Sequence, residues 1–484
     1  MSFKSLTLAL AMSLTVGIAD ADADYNDGII IVNEDWYGHQ NSTVNFLKPD
    51  DPDGDYWQYR IIQAENPGKE LGCTNQYGAV WNGRLYLIAK QEKDPGASIV
   101  GGRITVCDAK TMEILHQQTQ IDPSGKQCDG RGFVGVDDHK GYISTSNGIW
   151  VFDLDTFTVT GQVEGSANPN AGGDNDKPNT DPSGSLYHGQ TGTMVTAAGR
   201  VFAAHQQYGL LVIDPLQDKV VESIPLDIVQ DKAAIGSVVK SKDGMLWLSV
   251  AKDNRGTGTA LNCLVRVNPE TLETKIIQCP EGVYGPANSW YAWTPDAFVA
   301  SQLNNRLYWK GGESSWFSGT KIFRYDIDQD KMELFTDLEA DGLNWKIYGC
   351  SLGVDPKNED VYMSLYHEFS IPTYITRRYS AGGEIQKEYE MIQNYWFPSN
   401  MIFVSSDDSS VSDVDADEIF NLVYNAEGLQ INAGADCRGF VYSLDGQLVA
   451  DLNISNGQHC YSLDLCPGIY VVRVGNQNKK IMVR

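Results

Sequence analysis

From residue 27 onward the chain repeats one arrangement of apolar and polar positions. A turn residue opens a β-rich run, a variable loop follows, a second run ends in Asp or Asn, and a tight turn leads to a third run. The clearest copies begin at Asn82 (NGRLYLIAK, then GGRITVCDAKTMEIL), Lys140 (KGYISTSNGIWVFDLDTFTVTGQV), Gly199, Gly244 and Asn305. Weaker copies begin at Asp27 and Glu359, which makes seven, 45 to 61 residues apart. Repetition at this period is the mark of stacked or radially arranged units. Each run alternates or is continuously β-branched and aromatic, as pleated, half-buried strands require. Asp108 to Thr111, Asp153 to Thr156 and Asn268-Pro269-Glu270-Thr271 place turn formers between the third and fourth strands of a unit.

A further short strand precedes each unit: TNQYGAVW, GFVGVD, GTMVTA, IGSVVK, FVASQL and CSLGVD. Their small residues suit the innermost position, where the sheets converge. The first unit lacks such a strand, and Asn400-Met401-Ile402-Phe403-Val404 supplies one from the far end. Pairing it with Ile29 to Val32 would close a ring and remove two exposed sheet edges. The expected fold class is therefore all-β, a seven-bladed β-propeller followed by a small C-terminal β-sandwich. Its expected divisions are a signal peptide at 1–23, the propeller at 24–405, an acidic, Ser-rich linker at 406–418, and the sandwich at 419–484.

The 484 residues are enough to bury a large core, and 10% of them are aromatic, which suits sheets. Acidic residues outnumber basic ones 63 to 37, for a net charge of −26, so a phosphate backbone would be repelled and no nucleic-acid partner is expected. Lys4, the apolar run Leu6 to Ile18 and the small residues at 19–23 read as an export signal. The run is short for a membrane span, and no later stretch is long enough, so the mature chain is expected to have no transmembrane segment. Export to the cell surface or medium, or to the periplasm, follows. No Cys follows the apolar run as a lipid-anchor site. The nine Cys (73, 107, 128, 263, 279, 350, 437, 460 and 466) contain no CxxC pair, which leaves one to four disulfides or buried thiols.

The final segment resembles the C-terminal sorting domain of the type IX secretion system of Bacteroidetes. Tyr442-Ser443-Leu444-Asp445-Gly446, Gly468-Ile469-Tyr470-Val471-Val472-Arg473 and Lys479-Lys480-Ile481 carry the likeness, and the usual Pro-Asn-Pro after Val423-Tyr424 is missing. Residues 27–405 resemble YncE-like surface propellers of the same bacteria, through Gly28 to Glu34, Asn41-Ser42-Thr43-Val44 and Gly148-Ile149-Trp150-Val151-Phe152-Asp153. Relatives of the BtuG type capture corrinoids and hand them to an outer-membrane transporter. The resemblance implies surface ligand capture, with a corrinoid as one named ligand and such a transporter as a partner; the cofactor, if any, is unknown.

One face of a propeller gathers the loops before each innermost strand and those between the second and third strands. Here they are rich in rings and amides, and the ligand-binding candidates are Trp36, Tyr37, His39, His188, Gln190, Tyr208, Trp290, Trp293, Trp316, Tyr348, Tyr366 and Trp396. Such rings give a planar ligand a floor, while amides and backbone groups orient it. The same rings would also serve to pack adjacent blades. Of the seven His, four (39, 188, 205 and 367) fall in or beside these loops, where a metal site or a general base is conceivable. Asp51 to Asp55 and Asp174 to Asp176 read as calcium loops or, more simply, as solvated turns. No HExxH, Gly-x-Ser-x-Gly or Walker motif occurs, so no catalytic residue and no metal ligand is assigned. Three functions remain: ligand capture, a protein-interaction scaffold, and a metal-dependent propeller lactonase or lyase.

Overall fold

The computed structural model describes residues 25–168, 190–253, 260–286, 295–312, 318–405 and 420–483, less residue 127, 369–370, 372 and several short turns after 425. The signal peptide and linker, and the expected loops at 174–176 and 256–258, lie outside the described residues. Among the described residues, those up to 404 form seven antiparallel sheets built around four strands each. The second is representative: Cys73–Trp81 is innermost, followed by Arg84–Gln91, Ile104–Asp108 and Ile114–Gln118.

Period-two alternation turns these sheets into a closed cycle. In Gly28–Asn33, Ile30 and Val32 pack against Leu85 and Leu87 of the second sheet. Ile29 and Ile31, on the other face, pack with Tyr362 and Tyr389 of the seventh. The same holds around the ring: Tyr86 and Ile88 meet Phe133 and Ile143, and Tyr142 and Ile149 meet Val201 and Leu211. Phe202 and Leu210 meet Leu246 and Leu248, Trp247 meets Leu307 and Trp309, and Tyr308 meets Val361 and Met363. Both faces of every blade are therefore buried, which is why the strands read as apolar nearly throughout.

The first sheet closes as its sequence implied. Pro398–Val404 pairs with Gly28–Asn33, with Ile29 opposite Phe403 and Ile31 opposite Met401. Residues 365 to 376 positions apart thus share one sheet: Gly28–Asn33 is paired on both sides, and Pro398–Val404 takes the innermost place. The recurring Asp turn is also explained. Oδ1 of Asp153 accepts hydrogen bonds from the amides of Asp155 and Thr156 and from the Thr156 hydroxyl, and Asp108 does the same for Lys110 and Thr111. Each turn then needs one left-handed residue, taken by Phe157 (φ 54°) and Met112 (φ 58°). Two features escaped the sequence pattern: a one-turn helix, Ile61–Glu65, and a two-residue strand, Ser318–Gly319, that joins the seventh sheet by pairing with Ile347 and Tyr348.

After residue 419, Phe420–Asn425, Gly428–Ala433 and Gly457–Tyr461 form one sheet, and Leu448–Ile454, Cys437–Ser443, Gly468–Val474 and Gln477–Val483 form another. Leu429 and Ile431 from the first share a core with Val441, Leu452 and Val472 from the second, which makes a small β-sandwich. Among the described residues, Cys73, Cys107, Cys128, Cys263, Cys279, Cys350 and Cys466 form no disulfide, so in the propeller the buried-thiol alternative holds. Cys107, Cys128 and Cys263 lie inside the propeller cores as small apolar groups, and the buried Cys73 thiol donates to Asp94 Oδ2 at 3.3 Å.

Candidate functional site

The loop that leaves Asn33 and returns at Thr43 carries Trp36, Tyr37 and His39, and it is held at many points. Asp35 adopts a left-handed conformation (φ 59°) that a β-bulge between Val32 and Asn33 sets up. Its Oδ1 accepts from Gln40 Nε2 at 2.8 Å and from the Trp396 amide at 3.1 Å, and its Oδ2 accepts from Thr43 Oγ1 at 2.7 Å. Asp94 anchors the tip: its Oδ2 accepts from the Gly38 amide at 2.7 Å, and its Oδ1 from the Gly96 amide at the same distance. Gly96 has to be glycine, since a Cβ there would stand 2.6 Å from the Gly38 carbonyl oxygen. A loop tied this tightly presents its rings in a fixed pose, and little order remains to be gained on binding.

Trp36 packs on His39 with ring centroids 4.3 Å apart and on Trp396 at 5.9 Å. Behind them Trp57, Tyr59 and Tyr395 stack in series at 5.7 and 5.2 Å, in the seam between the first and seventh sheets. Tyr37 is 53% exposed, beside Ile99 at 42% and Val100 at 53%. The neighbouring backbone is fixed, because Asn41 Nδ2 donates to the Ile99 carbonyl at 2.9 Å. An exposed apolar patch on ordered loops is the part of this face most available to a partner.

Below the rings the axis is polar, because the innermost strands carry bulges near this end. Register breaks fall between Asn75 and Tyr77, Gly130 and Gly132, Ile235 and Val238, and Ile347 and Leu352. Each break lets a polar residue leave the ladder: Gln76, Arg131, Ser237 and Cys350 among them. Glu34 Oε2 accepts from Gln76 Nε2 at 2.7 Å and from the Tyr348 hydroxyl at 3.0 Å. Burial raises the Glu34 carboxyl, opposed by the charge of Lys90 and by those hydrogen bonds. Burial lowers Lys90 to about 8, opposed chiefly by Glu34, with Arg131 and Asp129 close by. Across the axis, Asp296 accepts from Ser237 Oγ at 2.6 Å and Ser249 Oγ at 2.7 Å; burial raises it and brings its neighbour Lys310 down to about 8. Three buried acids thus face three buried bases, and the well is close to neutral within a strongly acidic protein.

The structure brings five of the expected residues together: Trp36, His39 and Trp396 at the surface, with Tyr348 and Tyr366 buried beneath them. Tyr37 adjoins this group from the second-sheet side. Tyr348 and Tyr366 pack on Phe397 and serve the seam between blades, which is the packing role foreseen for such rings. Gln190 and Tyr208 belong to a different place, the fourth sheet, where Gln190 Nε2 donates to Gln206 and Tyr208 stacks on buried His205. His188, Trp290, Trp293 and Trp316 lie outside the described residues. The described His do not converge. His39 stacks on Trp36, His367 on Trp345, and His205 is buried, its pKa held down to about 4 by desolvation. Among the described residues no group of three or more His, Cys, Asp or Glu is placed to hold a metal ion. Asp51 Oδ1 instead accepts from the amides of Asp53 and Asp55, a turn closed on itself.

The sequence reading missed Glu34, Lys90, Asp129, Arg131, Asp296 and Lys310 as a group. A charged residue at or beside the end of an apolar run was the available signal. Two clefts also lie away from the expected face. One, of about 490 Å³, opens where the first and last propeller strands meet at their other end, lined by Asp27, Lys48, Asp50, Asp355, Lys357 and Phe403 among others. The second lies on the axis.

Fold and site together define a β-propeller with a rigid aromatic loop face above a neutral, buried polar well. The chain belongs to the family described as "Domain of unknown function (DUF5074)", whose model matches residues 27–404. A search of curated proteins finds no match. Among solved structures, the chain is similar to a quinonprotein alcohol dehydrogenase-like protein, BT1487, from Bacteroides thetaiotaomicron, with 16% identity over 79% of each chain and a TM-score of 0.54. It is also similar to the extracellular domain of the one-component system BT4673 of the same species, at 12% identity and a TM-score of 0.44. That match covers 96% of this chain and 56% of the other. A further match is PorZ, a surface component of the type IX secretion system of Porphyromonas gingivalis, at 13% identity and a TM-score of 0.43. It covers 97% of this chain and 60% of PorZ. These likenesses concern the fold. Among the described residues no helix is long and apolar enough to cross a membrane.

Proposed function

We propose that this protein is an exported propeller, at the cell surface or beyond it, that captures a ligand on the loop face bearing Trp36, Tyr37, His39 and Trp396. One observation carries the reading: the loop bearing half-buried Trp36 and exposed Tyr37 and His39 is fixed by side-chain hydrogen bonds to Asp35 and Asp94, a preorganisation that inter-blade packing alone does not need. Planar, amphipathic ligands suit such rings, and a corrinoid is the named candidate through the resemblance to capture propellers. Delivery to an outer-membrane transporter, and use of residues 419–484 for sorting, complete the proposal. The export signal read at 1–23 supports it.

A protein partner is the second reading, favoured by the exposed Ile99 and Val100 beside Tyr37. The test is a titration of the full chain with cobalamin, haem and a small glycan panel, following Trp fluorescence with correction for ligand absorbance. Saturable quenching by cobalamin that Trp36→Ala abolishes, with an unchanged melting temperature, supports the corrinoid. No response to any of the three overturns small-molecule capture in favour of the protein partner.

A further inference from the structure

The axis has a second end, and among the described residues it is open. Past the polar well, Tyr77, Val195, Val238, Val239, Phe298 and Val299 enclose a cavity of about 270 Å³, with Lys240 and Gln302 also in its wall. These residues come from four different innermost strands, Cys73–Trp81, Thr191–Ala197, Ala234–Lys240 and Phe298–Ala300. Tyr77 packs on the core between the second and third sheets, Val195 on that between the fourth and fifth, and Val299 on that between the sixth and seventh. All three are only partly buried, although they lie at the centre of the molecule. Their uncovered surface therefore borders the cavity, where apolar groups meet water on a concave wall. That is the arrangement from which a small apolar ligand gains most.

Among the described residues the wall has one positive group. Lys240 Nζ donates to the Thr196 carbonyl at 3.0 Å, which holds the ammonium against a second lining residue rather than out in solvent. Tyr77 directs its hydroxyl to the Phe133 carbonyl at 2.7 Å and lines the space. An empty cavity of about 150 Å³ accepts benzene, so this volume accommodates a ring with a short tail.

We propose that this pocket binds a small apolar acid, an aryl or branched alkyl group of about ten heavy atoms ending in a carboxylate. The apolar end sits among Tyr77, Val238 and Phe298, and the carboxylate meets Lys240. This site is separate from the loop face and stands whether or not that face binds a ligand.

The experiment uses the full chain with ¹³C-labelled valine methyl groups, titrated with phenylacetate, 2-phenylethanol and phenethylamine. The expected result is saturable shifts of the Val195, Val239 and Val299 methyls by phenylacetate, with a Kd of about 1 mM or tighter. Phenethylamine should bind at least about tenfold more weakly. Lys240→Gln should weaken phenylacetate by about tenfold and leave 2-phenylethanol unchanged. Ala300 also lines the cavity; Ala300→Phe and, independently, Val239→Phe should fill the space and abolish both, with melting temperature as the check on folding. Absence of saturable shifts at these methyls overturns the pocket. Equal affinity for the acid and the amine overturns the assigned ligand class.

Discussion

Asp35 and Trp396 hold each other by the backbone: the Asp35 amide donates to the Trp396 carbonyl at 3.0 Å, and the Trp396 amide donates to Asp35 Oδ1 at 3.1 Å. The pair ties the first loop of the propeller to the segment that enters its closing strand. Ring closure and the aromatic face therefore depend on the same carboxyl group. The aromatic face at this seam is therefore complete only once the chain has closed.

The first prediction concerns pH. Burial pushes Asp35 from 3.8 up to about 7, against the hydrogen bonds from Thr43, Trp396 and Gln40. A raised folded-state pKa means that the native state binds the extra proton. Its stabilising contribution is complete below about pH 4 and is lost as pH rises through 7. Asp35→Asn keeps an acceptor for the Trp396 amide and removes the titration. Urea denaturation between pH 4 and 8 should show a decline with pH in the wild type that the variant lacks, and an equal decline in both would remove Asp35 from the explanation.

Asp94 is the second point of attachment for the aromatic loop. Asp94→Ala leaves the amides of Gly38 and Gly96 without their acceptor and should cost about 2 kcal/mol or more, since both sit in a closely packed turn. The expected signature is a lower melting temperature together with greater quenching of Trp fluorescence by acrylamide. A stability change without increased quenching would mean that Trp36 is held by other contacts.

The buried pair at the axis predicts non-additivity. Lys90→Met alone leaves Glu34 without its main compensating charge and should destabilise by about 3 kcal/mol, with Glu34→Gln alone costing less. The double variant should recover part of the loss. Strict additivity in urea unfolding would show that each charge is compensated by a different partner.

Closure of the first sheet predicts where the chain can be shortened. A chain ending at Ser405 retains Pro398–Val404 and should unfold in one cooperative transition. A chain ending at Phe397 exposes the edge of Gly28–Asn33 and should aggregate or melt broadly. Calorimetry on the two truncations checks the difference.

Most of the architecture is legible in the chain because it rests on local signals. Alternation in Gly28–Asn33 assigns Ile30 and Val32 to one blade interface and Ile29 and Ile31 to the other. Asp153 and Thr156 spell out their own turn through hydrogen bonds that span three residues. Even ring closure could be inferred, since a unit without an innermost strand and a spare strand at the far end answer each other. The site was less accessible. That Trp36, Tyr37 and His39 share a loop is plain from their order. That Trp396 joins them, that Tyr348 and Tyr366 turn inward, and that Gln190 and Tyr208 stand apart were settled only when the seven sheets were placed around one axis. The buried charges show the same division. Glu34, Lys90, Arg131, Asp296 and Lys310 come from four different sheets, and bulges that no single strand announces help turn these groups and their partners toward one another. Short-range hydrogen bonding and side-chain period are written along the chain; electrostatic pairing across an axis depends on distances that only the assembled ring creates.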